Sequence, residues 1–332
     1  MSKGPHRLVY EVIEGWERLP EGWSFVEVAG VAVDSRDRVY VFNRGAHPVI
    51  FFDKEGKFLD AWGEGVFTSP HGIFIDGRDR LYCADDGDHT VRVFDTEGTL
   101  QMMLGEPGVA AETGFALGVS RVQHSGGPFN KVTNVATGPT GDLFVADGYG
   151  NARVHRFTAD GRLLCSWGEP GSGPGQFDLP HGIAVDSGGR VFVADRENSR
   201  IQIFSSDGAF LDAWNWVNRP DDLFIDANDY LYVAELGWST PPQAQPHFNF
   251  MLHPPHGHDP VARVTVCDLD GSVVSRFGGH EAVLPGNFIA PHGIAVDSRG
   301  DLYVGEVVER SGARRHFAPL TCHAFQKFVR SG

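Results

Sequence analysis

Three histidines occur in the same short context along the chain. His71, His181 and His292 each stand between a proline and a glycine, at the start of an apolar alternation. Imidazole nitrogens bind zinc, iron and copper, and a three-histidine site leaves positions open for water or substrate. One histidine in a Pro-His-Gly turn is more simply read as a residue that begins a strand. Three together predict a divalent metal site, with zinc as the first candidate and iron as the second.

Two arginines and a tyrosine follow other apolar segments and could work beside such a metal. Arg44 and Arg196 are predicted to bind an anion, because a guanidinium holds a carboxylate through two hydrogen bonds. For either arginine alone, an ion pair with a surface acid is an equal alternative. Tyr149 lies between Gly148 and Gly150, and it could serve as a general base if its pKa fell well below about 10. A packed aromatic is the alternative for Tyr149.

The elements that must position these residues repeat six times. Each copy is an apolar alternation ending in Asp, a polar turn and a second alternation, as in GIFIDGRDRLYCAD and GIAVDSGGRVFVAD. Period-two alternation with Gly, Asp and Ser turns indicates β-hairpins, and two further strands follow most copies. The pattern predicts an all-β fold, a six-bladed β-propeller. Because the last copy lacks a fourth strand, the N-terminal RLVYEVIEGW is predicted to complete that blade and close the ring.

The same place in each repeat is occupied by Ala29, His71, Thr133, His181, Asp221 and His292. The histidines therefore fall on alternate blades, roughly 120° apart around the axis of a six-fold ring. Equivalent positions on such blades converge near the central channel, which predicts a metal centre at its mouth. For Asp221 three roles stay open: a fourth ligand, a hydrogen-bond partner of a ligand, or an ordinary turn acid.

We expect residues 1–332 to form one domain with insertions around 107–130 and 237–260. Loops of this length are often functional, although disorder is an alternative. The second insertion has three histidines that could form a separate metal site or simply lie in a mobile polar loop: His253, His256 and His258. Five further residues could line a pocket or pin their own loops: Phe129, Asn130, Trp238, Phe248 and Phe250.

The net charge and the apolar content of the sequence limit which partners are expected. A formal charge of −15 opposes binding to a phosphate backbone, so nucleic acid is not expected as a partner. No stretch approaches the roughly 20 apolar residues that cross a bilayer, and the N-terminus has no continuous apolar segment of a signal peptide. We therefore expect a cytoplasmic protein with no membrane contact.

The repeats resemble NHL-repeat propellers over nearly the whole chain. The stretches SPHGIFID, LPHGIAVD, APHGIAVD, VADGYGNARV, ADRENSRIQIF and FNRGAHPV further resemble the peptidylglycine α-amidating lyases. That resemblance implies the following roles: zinc ligands His71, His181 and His292, base Tyr149, and substrate-binding arginines Arg196 and Arg44. It also implies cleavage of a carbinolamide N–C bond into an amide and glyoxylate, with the metal as Lewis acid.

The chain departs from the animal lyases at several points. It has no cysteine beside Tyr149, and Gly293 stands where those enzymes have an Asp that helps hold a structural calcium, which argues against calcium here. No secretion signal or copper monooxygenase domain is evident, so we expect smaller carbinolamides or ureidoglycolate-like molecules as substrates. The first hypothesis is a metal-dependent lyase on a small, hydroxylated, anionic substrate. The alternatives are a hydrolase or hydratase on the same site and a non-catalytic protein-binding propeller.

Overall fold

Short antiparallel strands make up almost all of the regular structure. A computed structural model describes residues 8–118, 120–237, 261–311 and 322–331. The strands are β1 (Tyr10–Ile13), β2 (Val28–Val33), β3 (Val39–Asn43), β4 (Val49–Phe52), β5 (Phe58–Trp62), β6 (Pro70–Ile75), β7 (Leu81–Asp85), β8 (Thr90–Phe94), β9 (Leu100–Leu104), β10 (Val132–Thr137), β11 (Leu143–Asp147), β12 (Arg153–Phe157), β13 (Leu163–Trp167), β14 (Glu169–Pro170), β15 (Gln176–Phe177), β16 (Pro180–Val185), β17 (Val191–Asp195), β18 (Arg200–Phe204), β19 (Phe210–Trp214), β20 (Pro220–Ile225), β21 (Tyr230–Glu235), β22 (Arg263–Asp268), β23 (Val273–Phe277), β24 (Pro291–Val296), β25 (Leu302–Glu306) and β26 (Phe325–Arg330). One short helix, α1 (Val308–Ser311), follows β25. In the part of the chain that is described, no helix is long and apolar enough to cross a membrane.

The strands form six four-stranded blades around one axis. Blades one to five use consecutive strands, from β2–β5 through β20–β23, and blade six has the order β1-β26-β25-β24. The N-terminal β1 therefore supplies the outer strand of the last blade, where Tyr10 pairs with Arg330 and Ile13 with Lys327. Pairing the first strand with the last closes the ring. The six-bladed propeller and the closure by the N-terminal strand are both confirmed.

The hydrophobic core lies between neighbouring blades. Six clusters of buried side chains each join two adjacent blades, and the inner strands β2, β6, β10, β16, β20 and β24 touch in sequence around the axis. Between blades six and one, for example, Tyr303 belongs to the same cluster as Val41, and both are fully buried. Because every blade packs on two neighbours, the inner strands are held at fixed angles to one another.

A β-bulge near the start of every inner strand re-aims one side chain. In blade six, Pro291 pairs with Glu306 and Gly293 pairs with Gly305, so His292 has no partner across the ladder. The same register shift occurs at the start of β2, β6, β10, β16 and β20. A bulge bends its strand and redirects the unpaired residue. The predicted ligand position of each repeat is therefore a bulge position.

The glycine after each histidine is required by the close approach of inner strands. A Cβ atom on Gly182 would lie 2.7 Å from the Asp221 carbonyl oxygen and 2.8 Å from the Asp222 Cα. On Gly72 it would lie 2.5 Å from the Thr133 carbonyl oxygen. These atoms are backbone and cannot move aside alone. The Pro-His-Gly motif thus combines a side chain aimed at the axis with a residue that lets the next blade approach.

Asp222 links three blades near the axis. Its Oδ1 accepts hydrogen bonds from Asn134 Nδ2 of blade three at 2.6 Å and from Leu223 N at 2.9 Å, and its Oδ2 accepts from Ile294 N of blade six at 3.0 Å. The side chain sits on β20 of blade five and is buried. Both carboxylate oxygens are therefore used to hold inner strands together.

At about pH 4, replacing Asp222 with asparagine should destabilise the protein by about 1–3 kcal/mol, because an amide nitrogen cannot accept the hydrogen bonds that one carboxyl oxygen accepts. Burial raises the pKa of Asp222 to about 7. A carboxyl group whose pKa is raised by folding contributes stability that is fully present below the pKa of the unfolded chain. This contribution is lost as the pH rises through about 7. The advantage of the wild type over Asp222→Asn should thus shrink between about pH 4 and pH 7. Urea unfolding at several pH values measures this difference, and a pH-independent difference would contradict the assignment.

Candidate metal centre and active site

The three predicted histidines converge at the axis. The ring centroids of His71, His181 and His292 are 4.8 Å apart in every pair. Each ring offers one nitrogen such that the three nitrogens all lie within 4.8 Å of one another. The side chains are buried, with exposed fractions of 1%, 2% and 4%. Among the described residues, this is the one group of three or more His, Cys, Asp or Glu side chains spaced to hold a metal ion.

The blades without histidines orient the three histidine side chains. Each Nδ1 lies 2.7 Å from the backbone carbonyl oxygen at the equivalent position of the following blade: His71 on Thr133, His181 on Asp221, and His292 on Ala29. A carbonyl oxygen only accepts, so each Nδ1 carries the proton and each Nε2 keeps its lone pair. This is the arrangement by which metal-binding histidines are oriented in proteins.

Burial keeps the imidazoles of His181 and His292 neutral. It lowers the pKa of His181 well below the ordinary value, and the charge of Arg196 and the other two histidines act in the same direction. Burial, followed by His71 and Arg44, likewise lowers the pKa of His292. Neutral imidazole is the form that binds metal.

Tyr149 stands over two of these nitrogens. Its Oη lies 3.1 Å from Nε2 of His71 and 3.1 Å from Nε2 of His181. Both nitrogens are acceptors, and the hydroxyl has one proton, so it can donate to only one of them. At least one lone pair in this buried cluster therefore faces an oxygen without a proton between them. A cation at the centre of the cluster would resolve this mismatch.

The loop after β11 holds Tyr149 through close packing. A Cβ atom on Gly148 would lie 1.9 Å from the Pro180 carbonyl oxygen, and one on Gly150 would lie 2.1 Å from the Asn130 side-chain oxygen. The Asn130 carbonyl also accepts the Gly150 N–H at 3.0 Å. The two glycines leave space for neighbouring chain segments, which fixes the tyrosine.

The protein groups around Tyr149 do not lower the pKa of its hydroxyl. Burial raises the pKa of its hydroxyl above the ordinary value, and the charges of Arg196 and Arg44 oppose that rise without reversing it. The nearby Asp221 and Asp86 raise the pKa further. The arginines alone therefore leave the phenol protonated at neutral pH.

Arg196 lies against Tyr149 in a chain of buried charges. Its guanidinium donates from Nε to Glu197 at 2.9 Å and from one terminal nitrogen to Asp221 at 3.0 Å. The same terminal nitrogen lies 3.4 Å from Tyr149 Oη, and the guanidinium carbon is 5.5 Å from the centre of the tyrosine ring. Glu197 was not recognised in the sequence, although its place directly after Arg196 was a signal.

Arg44 approaches the centre from blade one. Its Nε donates to the Pro70 carbonyl oxygen at 2.9 Å, and a terminal nitrogen is 3.2 Å from a Glu27 carboxylate oxygen. Glu27 was also missed, because it precedes β2 by one residue and lies 17 positions from Arg44. Both arginines are thus paired with buried acids, as in the ion-pair alternative left open for each of them. These ion pairs offset part of the positive charge of each arginine.

Asp221 lies beside His181 as its hydrogen-bond partner. Besides the carbonyl contact, Asp221 Oδ1 is 3.4 Å from His181 Nδ1, whereas Oδ2 is buried and has no hydrogen-bond partner among the described residues. Burial raises the pKa of this carboxyl to about 6. Of the three roles considered, this geometry favours support of a ligand and of Arg196.

Residues of the first insertion pack against the propeller and bond to one another. Phe129 is 1% exposed and packs in the core between blades two and three, and Asn130 Nδ2 donates to the Ala111 carbonyl oxygen at 2.9 Å. These contacts match the alternative in which the residues hold their own loop. The remaining insertion residues considered above lie outside the described residues: Trp238, Phe248, Phe250, His253, His256 and His258.

Comparisons with known proteins agree with this architecture. The sequence profile of the NHL repeat matches residues 177–204. NHL repeat-containing protein 3 of Homo sapiens is 33% identical over 318 residues, covering 91% of this chain and 82% of the human protein. Peptidyl-alpha-hydroxyglycine alpha-amidating lyase 1 of Drosophila melanogaster is 32% identical over 194 residues, covering 55% of this chain and 34% of that protein.

A solved structure supports the fold independently. A gluconolactonase from Xanthomonas campestris has a TM-score of 0.60 with 15% sequence identity, covering 93% of this chain and 87% of that one. At this identity the likeness concerns the fold and not the chemistry.

Proposed function

The chain belongs to the NHL-repeat family of β-propellers, and from this premise we propose that it is a metal-dependent lyase for a small, hydroxylated, carboxylate-bearing substrate. The observation that carries the proposal is the hydrogen-bond mismatch at the axis. The Nε2 atoms of His71 and His181 both lie 3.1 Å from the Tyr149 hydroxyl, whose one proton can serve only one of them, and the His292 ring completes the cluster. A site of three imidazoles suits zinc and iron.

The residues present fit a divalent cation. His71, His181 and His292 would hold it through Nε2, because each Nδ1 is committed to a carbonyl oxygen. A divalent ion held there would supply Lewis acidity. It would also add positive charge to a site whose two arginines are paired with acids.

Each remaining residue has a role in cleaving a carbinolamide. Arg196 and Arg44 would bind the substrate carboxylate, and Tyr149, as the phenolate that the charge of a bound cation would favour, would take the proton of the substrate hydroxyl. As the hydroxyl carbon becomes a carbonyl, its bond to nitrogen breaks and the electron pair leaves with the nitrogen. The proton taken by Tyr149 returns to that nitrogen, which yields an amide and glyoxylate. The named activity of the Drosophila relative supports this reaction class.

The test combines elemental analysis of the purified protein with an assay for glyoxylate. We expect about one zinc or iron per chain and glyoxylate release from α-hydroxyglycine amides or ureidoglycolate. Metal without glyoxylate from either substrate would favour a hydrolase or hydratase on the same site. A protein that binds no metal under any reconstitution would overturn the proposal and leave a protein-binding propeller.

A further inference from the structure

Glu197 joins two arginines at the rim of the candidate site. Its Oε1 lies 2.9 Å from Arg196 Nε and 2.9 Å from a terminal nitrogen of Arg219, and its Oε2 lies 3.2 Å from Arg219 Nε. Arg196 follows β17, the second strand of blade four, and Arg219 precedes β20, the first strand of blade five. One carboxylate therefore fixes guanidinium groups from two neighbouring blades.

The three side chains are almost completely buried. Their exposed fractions are 9% for Glu197, 4% for Arg196 and 3% for Arg219. Although burial acts to raise the pKa of Glu197, the charges of Arg219 and Arg196 hold it below the ordinary value. Ion pairs taken out of water depend strongly on their geometry, because neither partner can return to solvent. The orientation of Arg196 is therefore sensitive to the shape of the Glu197 side chain.

Arg219 is itself held by contacts with both blades. A terminal nitrogen of Arg219 donates to the Gly237 carbonyl oxygen at 3.2 Å, and its backbone N–H lies 3.3 Å from Ser199 Oγ. The backbone of Arg219 has a φ of 48°, in the left-handed region that few non-glycine residues adopt. This conformation is kept in place by contacts on both blades.

We propose that Glu197 is a positioning residue that sets the guanidinium plane of Arg196 over Tyr149. Because Glu197 accepts a hydrogen bond from Arg196 Nε, a terminal nitrogen of Arg196 points to Asp221 and to the Tyr149 hydroxyl. The consequence for carboxylate binding rests on the proposed function, whereas the effect on Arg196 itself does not.

Two substitutions separate position from charge. Glu197→Asp keeps the negative charge and shortens the side chain by one methylene, and Glu197→Gln keeps the length and removes the charge. The probe is acetate, titrated into cobalt-loaded protein and followed by visible absorption. If charge alone mattered, Glu197→Gln would bind acetate more tightly and Glu197→Asp would match the wild type. Positioning predicts that both variants bind it more weakly, by about tenfold, with cobalt stoichiometry unchanged.

A matched control is Glu235→Gln. Glu235 is also a buried glutamate, 3.0 Å from Arg263 Nε, without a described contact to the metal centre. This variant should lose stability and keep the acetate affinity of the wild type. Equal weakening in Glu235→Gln would show a general effect of disturbing buried charge and would overturn the proposal.

A readout without metal keeps the two proposals distinguishable. In protein labelled with ¹⁵N-arginine, the Arg196 Nε–H signal, assigned through Arg196→Lys, should lose hydrogen-exchange protection about tenfold or more in both Glu197 variants. An unchanged Arg196 signal overturns the positioning role even if cobalt binds. A wild type that takes up no cobalt but shows the loss of protection overturns the proposed function and retains the role of Glu197.

Discussion

Purified His181→Ala is expected to contain less than about a tenth of an ion per chain, against about one in the wild type. His181 supplies one of three converging Nε2 atoms, and no described acid lies in that ligand cluster to replace it. Loss of an outer hydrogen-bond partner alone commonly costs 10–100-fold in metal affinity or activity, so loss of a ligand should reduce glyoxylate release by at least about 100-fold. Elemental analysis and the glyoxylate assay measure both effects.

The matched control for this result is His155→Ala. His155 is another fully buried histidine, 3.3 Å from Asp147 on blade three, and it is not part of the three-histidine cluster. It should lose stability but keep its metal. Retention of a full ion in a folded His181→Ala protein would place the metal elsewhere, and loss of metal from both variants would indicate damage to the fold.

Tyr149→Phe should lower kcat by about 10²–10⁴-fold, the usual contribution of a positioned acid or base, while leaving metal content and KM nearly unchanged. The substitution removes only the hydroxyl that lies 3.1 Å from the two histidine nitrogens. The ring that packs on His71, His181 and Arg196 remains. Steady-state kinetics on the glyoxylate-releasing substrate would separate kcat from KM.

Tyr82→Phe is the comparison for this change. The Tyr82 hydroxyl donates to Asp76 at 3.2 Å and is buried in blade two. Its removal should cost about 1 kcal/mol of folding stability without changing kcat. A Tyr149→Phe enzyme with wild-type kcat would mean that another group takes the hydroxyl proton. A large rise in KM with constant kcat would instead make Tyr149 a binding residue.

The proposed centre uses the six-fold symmetry in two ways. Blades two, four and six carry the histidines, and blades three, five and one supply the carbonyl oxygens that hold the Nδ1 atoms. Each ligand is therefore oriented by the neighbouring blade and not by its own hairpin. Substitutions that shift these backbone carbonyl groups should therefore disturb metal binding. Asp221 supplies one of the carbonyl oxygens, which places it beside His181.

Local patterns in the sequence determined the fold and the candidate ligands. Period-two alternation, Asp-rich turns and six copies specify six hairpins, because these signals depend on residues close together in the chain. The missing fourth strand of the last repeat predicted the pairing of β1 with β26, and the phase of His71, His181 and His292 within the repeats predicted their convergence. Because the ring is closed, equivalent positions in alternate repeats lie close together in the structure.

Only the tertiary structure decided how the residues around these ligands are paired and oriented. The bulges that turn the histidines inward, the Glu27 partner of Arg44 and the bridge formed by Glu197 depend on contacts across strands or between blades. The packing reason for Gly148 and Gly150 likewise depends on atoms of another segment. Such contacts have no period in the sequence, because burial and charge balance are properties of the assembled ring.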